Sequence, residues 1–163
     1  MNKAVFLDRD GVINRKGGPY YIFSEEDFSF NIGVFEALRY FSDKGYLLIV
    51  ITNQGGIAKG YFTSDQIDKL HDLMKKKLAA AGINIEAVYY CPHHPDVSKC
   101  ECRKPGSLLF EKAISEHNID RGSSFMIGDS AIDVEASEKA GVKGILIPAN
   151  GNMMELVIKS GLI

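Results

Sequence analysis

Phe6-Leu7-Asp8-Arg9-Asp10-Gly11-Val12 is the stretch on which the fold of this chain turns: an apolar run ends there in two carboxylates, two residues apart, followed by a glycine. If Ala4 to Leu7 form a buried strand, its carboxyl end opens into the crevice where open parallel sheets bind ligands, and Asp8 stands at the lip. Residues two apart on a strand share a face, so Asp8 and Asp10 can both reach one phosphate or metal. Taken alone, an Asp-x-Asp is equally an ordinary solvated turn. The remainder of the chain has to separate the two readings.

With 163 residues, 45% hydrophobic and 25% charged, the composition is that of one soluble globular domain spanning residues 1–163. A formal net charge of -2 gives no general attraction to nucleic acid or to an anionic membrane, which leaves small molecules as the expected partners. No room for a leader peptide is seen before the first strand, and no apolar run approaches the ~18 residues of a membrane span. The expected location is therefore the cytoplasm. With no long apolar seam in view, a monomer is expected.

Outward from the opening stretch, strand and helix signals alternate without repeat or linker, which predicts a doubly wound, mostly parallel α/β sheet. Val34, Leu38 and Phe41 share a helical face that stops at Gly45, and Tyr46 to Ile51 is an unbroken apolar run suited to a strand covered on both sides. Thr63-Ser64-Asp65-Gln66 has the form of a capping box and opens a helix that ends at Gly82. Further strands are predicted at 87–90, 125–127 and 144–147, with helices near 108–116, 131–140 and 153–159.

The ends of successive strands carry a consistent polar set: Asp8 and Asp10, then Thr52, Asn53 and Gln54, then Asp129 with Asp133 one helical turn later. Lys104 precedes another helix. In a parallel sheet these positions converge on one edge. Crowded carboxylates repel, and a hard cation with oxygen ligands relieves the repulsion, so Mg2+ held by Asp8 and Asp129 is expected. Asp8 is then placed as the nucleophile and Asp10 as the acid and base, with Thr52 and Lys104 holding the phosphoryl oxygens.

Asp-Arg-Asp-Gly-Val, Thr52, Lys104 and Gly-Asp129 together resemble, in order, the four motifs of haloacid dehalogenase (HAD)-superfamily phosphatases. The resemblance covers most of the chain. It implies Mg2+ ligation by Asp8, the Asp10 backbone carbonyl and Asp129, and for Asp133 a role in supporting the metal or the lysine. An exposed helical charge is the other reading of Asp133.

Cys91-Pro92-His93-His94-Pro95 and Cys100-Glu101-Cys102-Arg103-Lys104 hold all three cysteines in one window. An odd number closely spaced does not suit disulfides, whereas Cys91, His93, Cys100 and Cys102 make a complete tetrahedral Zn2+ set, structural because no position stays open. His94 is an alternative to His93, and the family pattern Cys-x-His favours His93. His71 and His117 lie in helical stretches and are read as surface residues.

This zinc loop, residues 91–102, runs straight into Arg103 and Lys104. Between Asn14 and Asn31 there is no insertion sized for a large cap domain, so an open site is expected. The zinc loop with Thr-Asn-Gln-x-Gly-Ile-Ala at 52–58 resembles the heptose-bisphosphate 7-phosphatase branch, with the histidinol-phosphatase branch as nearest competitor. The resemblance implies a small phosphorylated sugar as substrate and contacts to it from Asn53, Gln54 and Arg103. The chain departs from the pattern at Ser130, where a lysine is usual, and at Pro148-Ala149-Asn150, which supplies no cation. A nucleic-acid 3'-phosphatase, a phospho-accepting signalling domain and an inactive zinc-stabilised binding module are the remaining classes.

Overall fold

The computed structural model describes residues 1–163 and contains one five-stranded parallel sheet. Its strands are β1 (Lys3–Leu7), β2 (Tyr46–Asn53), β3 (Ala87–Cys91), β4 (Phe125–Gly128) and β5 (Lys143–Leu146), in the order β3-β2-β1-β4-β5. The helices are α1 (Val34–Asp43), α2 (Ser64–Ala79), α3 (Leu108–His117), α4 (Ala131–Lys139) and α5 (Met153–Lys159). This is the doubly wound layout expected from the alternation of signals.

The two faces of the sheet follow from the two-residue period of a strand. Val5, Leu7, Leu48, Val50 and Ile127 are buried with α1, α2 and α5, whereas Ala4, Phe6, Ile49, Ile51 and Met126 are buried with α3 and α4. Each fully buried Leu, Ile or Phe contributes about 1.5–3 kcal/mol of transfer free energy, which makes register costly to change. The Thr63 hydroxyl accepts the Gln66 N–H and the Gln66 side chain accepts the Thr63 N–H, so α2 begins with the expected capping box.

Register sets the edge on which the polar residues gather. Leu7 pairs with Val50 on one side and with Ile127 on the other, so Asp8, Thr52 and Asp129 emerge within a residue or two of the same level. After β3 the chain returns across the sheet to place β4 beside β1, and the crevice at that switch point is where ligands bind in such sheets. No helix is long and apolar enough to cross a membrane.

Candidate active site

Asp8 opens the site at the end of β1. Its side chain is 13% exposed, Oδ1 accepts the Arg9 N–H at 2.9 Å, and Lys104 Nζ lies 3.1 Å from the same oxygen. Burial above all, with Asp133, Asp129 and Asp10 adding repulsion, pushes the Asp8 carboxyl up to about 8 against the opposing pull of Lys104. Gly11 follows with φ +88°, a left-handed turn in which any Cβ would run into the Asp129 carboxylate.

Lys104 is nearly fully buried. Its ammonium contacts Asp133 Oδ1 at 2.5 Å and donates to the Ile51 carbonyl at 2.8 Å. Its backbone is clamped from across the cleft: Asn53 Oδ1 accepts the Lys104 N–H at 3.0 Å and Asn53 Nδ2 donates to the Lys104 carbonyl at 3.2 Å. Asn53 borders the cavity, but both ends of its amide are spent on this clamp. Asp133 is buried, so the exposed-charge reading is corrected; Lys104 takes one of its oxygens and the Ser130 N–H, at 3.1 Å, the other. It therefore serves the lysine and its own helix.

Asp8, Asp129 and Asp133 bring carboxylate oxygens within 4.8 Å of one another, and Asp129 Oδ2 is buried without a hydrogen bond. The Lys16 ammonium touches it as an ion pair. Lys104 and Lys16 are the two ammonium groups that face these three carboxylates. Three carboxylates at this spacing are an oxygen donor set that fits a hard divalent cation. The Asp10 side chain does not join this group. Its Oδ1 accepts from Arg9 and Asn14, and its Oδ2 from Gln54 Nε2 at 3.1 Å. Gln54 also donates to the Thr52 hydroxyl at 3.0 Å, tying the end of β2 to Asp10.

The second cluster lies at the end of β3. Cys91 Sγ is 3.6 Å from Cys100 Sγ, and His93 Nδ1 is 3.2 Å from Cys102 Sγ; all four donor atoms fall within 4.8 Å of one another and no disulfide forms. The three thiols and one imidazole have the donor chemistry of a closed zinc site, but Cys91 Sγ and Cys102 Sγ stand 2.8 Å apart, and zinc–sulfur bonds of about 2.3 Å would need them to spread to about 3.8 Å. His94 is turned away, with Nδ1 accepting the Asp96 N–H at 3.1 Å. The loop delivers Arg103, whose Nη1 donates to the His93 carbonyl at 3.2 Å. Arg103 then lines an open cavity of about 590 Å³ together with Asp10, Lys16, Tyr20, Asn53 and Gln54.

Several groups lie outside the sequence reading. Arg9, between the two carboxylates, is completely buried and pairs with Asp10. His71 is buried against Arg9, correcting its assignment to the surface. Lys16 brings a cation to Asp129 from the loop after β1, next to the position where Ser130 stands in place of a lysine. Asn150 holds that loop, accepting the Lys16 N–H at 2.8 Å and donating to its carbonyl at 2.7 Å. The position of Arg9 beside Asp10 was a signal that could have suggested their ion pair; the other partners are brought together only by tertiary structure.

Residues 101–157 match a family model described as HAD-hydrolase-like. The D-glycero-beta-D-manno-heptose-1,7-bisphosphate 7-phosphatase of Haemophilus ducreyi is 44% identical over 155 residues, covering 91% of this chain and 84% of that protein. The D-glycero-alpha-D-manno-heptose-1,7-bisphosphate 7-phosphatase of Campylobacter jejuni is 44% identical, covering 94% and 86%. Among solved structures, the D,D-heptose 1,7-bisphosphate phosphatase of B. bronchiseptica, complexed with magnesium and phosphate, superposes with a TM-score of 0.84. It is 29% identical, with 96% of this chain and 86% of that one covered.

Proposed function

Because this chain belongs to the heptose-1,7-bisphosphate 7-phosphatase family of HAD-like hydrolases, we propose that it removes the 7-phosphate of a D-glycero-D-manno-heptose 1,7-bisphosphate. The observation that carries this reading is the convergence of Asp8, Asp129 and Lys104 on one crevice, with the zinc-ligand set bringing Arg103 to its rim. Histidinol phosphate, the competing substrate in the sequence reading, has no second phosphate for Arg103 to receive.

In this reading Mg2+ is held by Asp8, Asp129 and the Asp10 backbone carbonyl, and when bound it supplies charge to phosphoryl oxygens and neutralises the carboxylate cluster. An Asp8 oxygen attacks phosphorus while the bond from phosphorus to the sugar oxygen breaks, and Asp10 gives the departing alkoxide its proton. Asp10 then takes a proton from water as that water attacks the aspartyl-phosphate. The Asp8–phosphorus bond breaks and inorganic phosphate leaves. Thr52 and Lys104 hold the phosphoryl oxygens throughout, where fixed donors stabilise a loose transition state. Asn53 acts by fixing the Lys104 backbone, and Gln54 by orienting Asp10.

Cys91, His93, Cys100 and Cys102 would hold Zn2+ as a structural ion, since the four protein donors would leave no position open, and the braced loop would hold Arg103 to receive the phosphate remote from the reaction. Cysteines that serve as metal ligands and not as disulfides suit a reducing compartment, the cytoplasm.

Steady-state phosphate release with Mg2+ tests the reading, comparing both heptose bisphosphate anomers with histidinol phosphate for the chain and its Asp8→Asn variant. The expected result is a higher kcat/KM for a heptose bisphosphate and a loss of about three orders of magnitude or more in the variant. Preference for histidinol phosphate would move the substrate assignment, and turnover surviving in Asp8→Asn would remove the nucleophile.

A further inference from the structure

The two oxygens of Asp10 are not equivalent. Oδ1 receives Arg9 Nη2 at 2.7 Å, Arg9 Nε at 3.2 Å and Asn14 Nδ2 at 3.0 Å, whereas Oδ2 receives only Gln54 Nε2 at 3.1 Å. Arg9 is itself held on two further sides. Nη2 donates to the Ile22 carbonyl at 2.6 Å, and Nη1 lies 3.1 Å from His71 Nε2. A guanidinium only donates, so Nε2 must accept, which makes His71 neutral with its proton on Nδ1.

His71 is well suited to be a permanent acceptor. It is buried at mid-length in α2, on the face that Ile67, Met74 and Leu78 anchor in the core. Burial first, then the charge of Arg9, lowers its pKa to about 3, so it does not switch state near neutrality. A helix rooted in the core thus fixes the plane of Arg9, and Arg9 fixes one oxygen of Asp10.

Resting on the acid-base role given to Asp10 above, we propose that His71, through Arg9, is a positioning residue for proton transfer: it locks Asp10 Oδ1 so that Oδ2 exchanges the proton with the sugar oxygen and then with water. In the first step the proton passes from Oδ2 to the oxygen whose bond to phosphorus breaks. In the second it returns from water to Oδ2. His71 neither gives nor takes a proton. Displacement of a catalytic group by about 1 Å can cost about 10²-fold in rate, so a remote acceptor is enough to matter.

The test compares His71→Gln with His71→Asn. Both are neutral amides, but the longer Gln side chain reaches the position of Nε2 and Asn does not. Each variant is assayed on the heptose bisphosphate and, by the pre-steady-state burst, on p-nitrophenyl phosphate, whose phenolate leaves without needing a proton. His71→Asn is expected to lose about 10- to 100-fold in kcat on the sugar phosphate with KM within about 3-fold, and to lose less than about 3-fold in the nitrophenol burst. His71→Gln is expected within about 3-fold of the parent on both. Equal losses on the two substrates, or a Gln variant no better than Asn, would overturn the proposal and leave His71 a packing residue. A parent enzyme inactive on both substrates would instead remove the phosphatase reading on which it stands, and Asp8→Asn burst kinetics separate that failure from this one.

Discussion

Lys104 Nζ stands 2.5 Å from Asp133 Oδ1 but 3.1 Å from Asp8 Oδ1, so the one buried ammonium is shared unequally between two buried carboxylates. Asp133 has the stronger hold. Asp8 keeps the longer contact, and burial above all raises its pKa to about 8 against the pull of Lys104. That balance underlies the first two predictions.

Lys104→Met should be costly twice over. Removing the cation leaves Asp8 and Asp133 buried with only the Arg9 and Ser130 N–H groups as partners, and breaking such a buried ion pair destabilises by about 3–5 kcal/mol. Loss of a fixed cation at the phosphoryl group should also lower kcat by about 10²- to 10³-fold. Urea unfolding and steady-state rates measure the two losses, and a variant as stable as its parent would contradict the burial argument.

Stability without Mg2+ should fall as pH rises. The folded Asp8 carboxyl is raised from 3.8 to about 8, so its contribution is fully present below about pH 4 and lost as pH climbs through about 8. Melting temperatures from about pH 5 to about pH 9, in Mg2+-free buffer, should show this decline in the parent and not in Asp8→Asn. Added Mg2+ should recover stability most at the alkaline end. A slope unchanged in Asp8→Asn would assign the effect to other groups.

Gly11→Ala should damage the metal site from beneath. Gly11 combines a positive φ with a Cβ direction blocked by the Asp129 carboxylate, so substitution adds strain and pushes a proposed ligand aside. A cost of about 2–4 kcal/mol is expected, together with weaker Mg2+ binding by calorimetry. Normal Mg2+ affinity in the variant would show that Asp129 is not needed as a ligand.

Loss of zinc should act through Arg103. Cys102→Ser removes one of four ligands, and the melting temperature should drop by on the order of 5–10 °C. Because Arg103 Nη1 is fastened to the His93 carbonyl, kcat/KM for the bisphosphate should fall more than kcat/KM for a sugar carrying only the 7-phosphate. Metal analysis confirms the stoichiometry, and equal losses on both substrates would separate the zinc loop from recognition of the remote phosphate.

Most of the fold was legible because strand and helix periods are local signals, and the strand-end residues follow once the sheet is parallel. Boundaries were less so. The apolar run suggests that β2 stops at Ile51, but Thr52 and Asn53 continue it by pairing with Tyr90 and Cys91 of β3. Likewise Lys143 enters β5 because Phe125 of β4 pairs with it, whatever its own polarity. His71 sits on the apolar stripe of α2 and looks like a surface residue until Arg9, 62 positions away, is seen against it. Lys16 and Asn53 tell the same story: their partners, Asp129 and Lys104, are set by topology, and no local pattern announces them.

The position of Asp133 ties folding to function in a way that can be watched without substrate. One carboxylate caps the Ser130 N–H at the start of α4 and steadies the ammonium of Lys104. Fraying of that first helical turn and slackening of the Lys104 ammonium are therefore the same event. Amide hydrogen exchange at Ser130 is a gauge of how often the resting enzyme disarms itself.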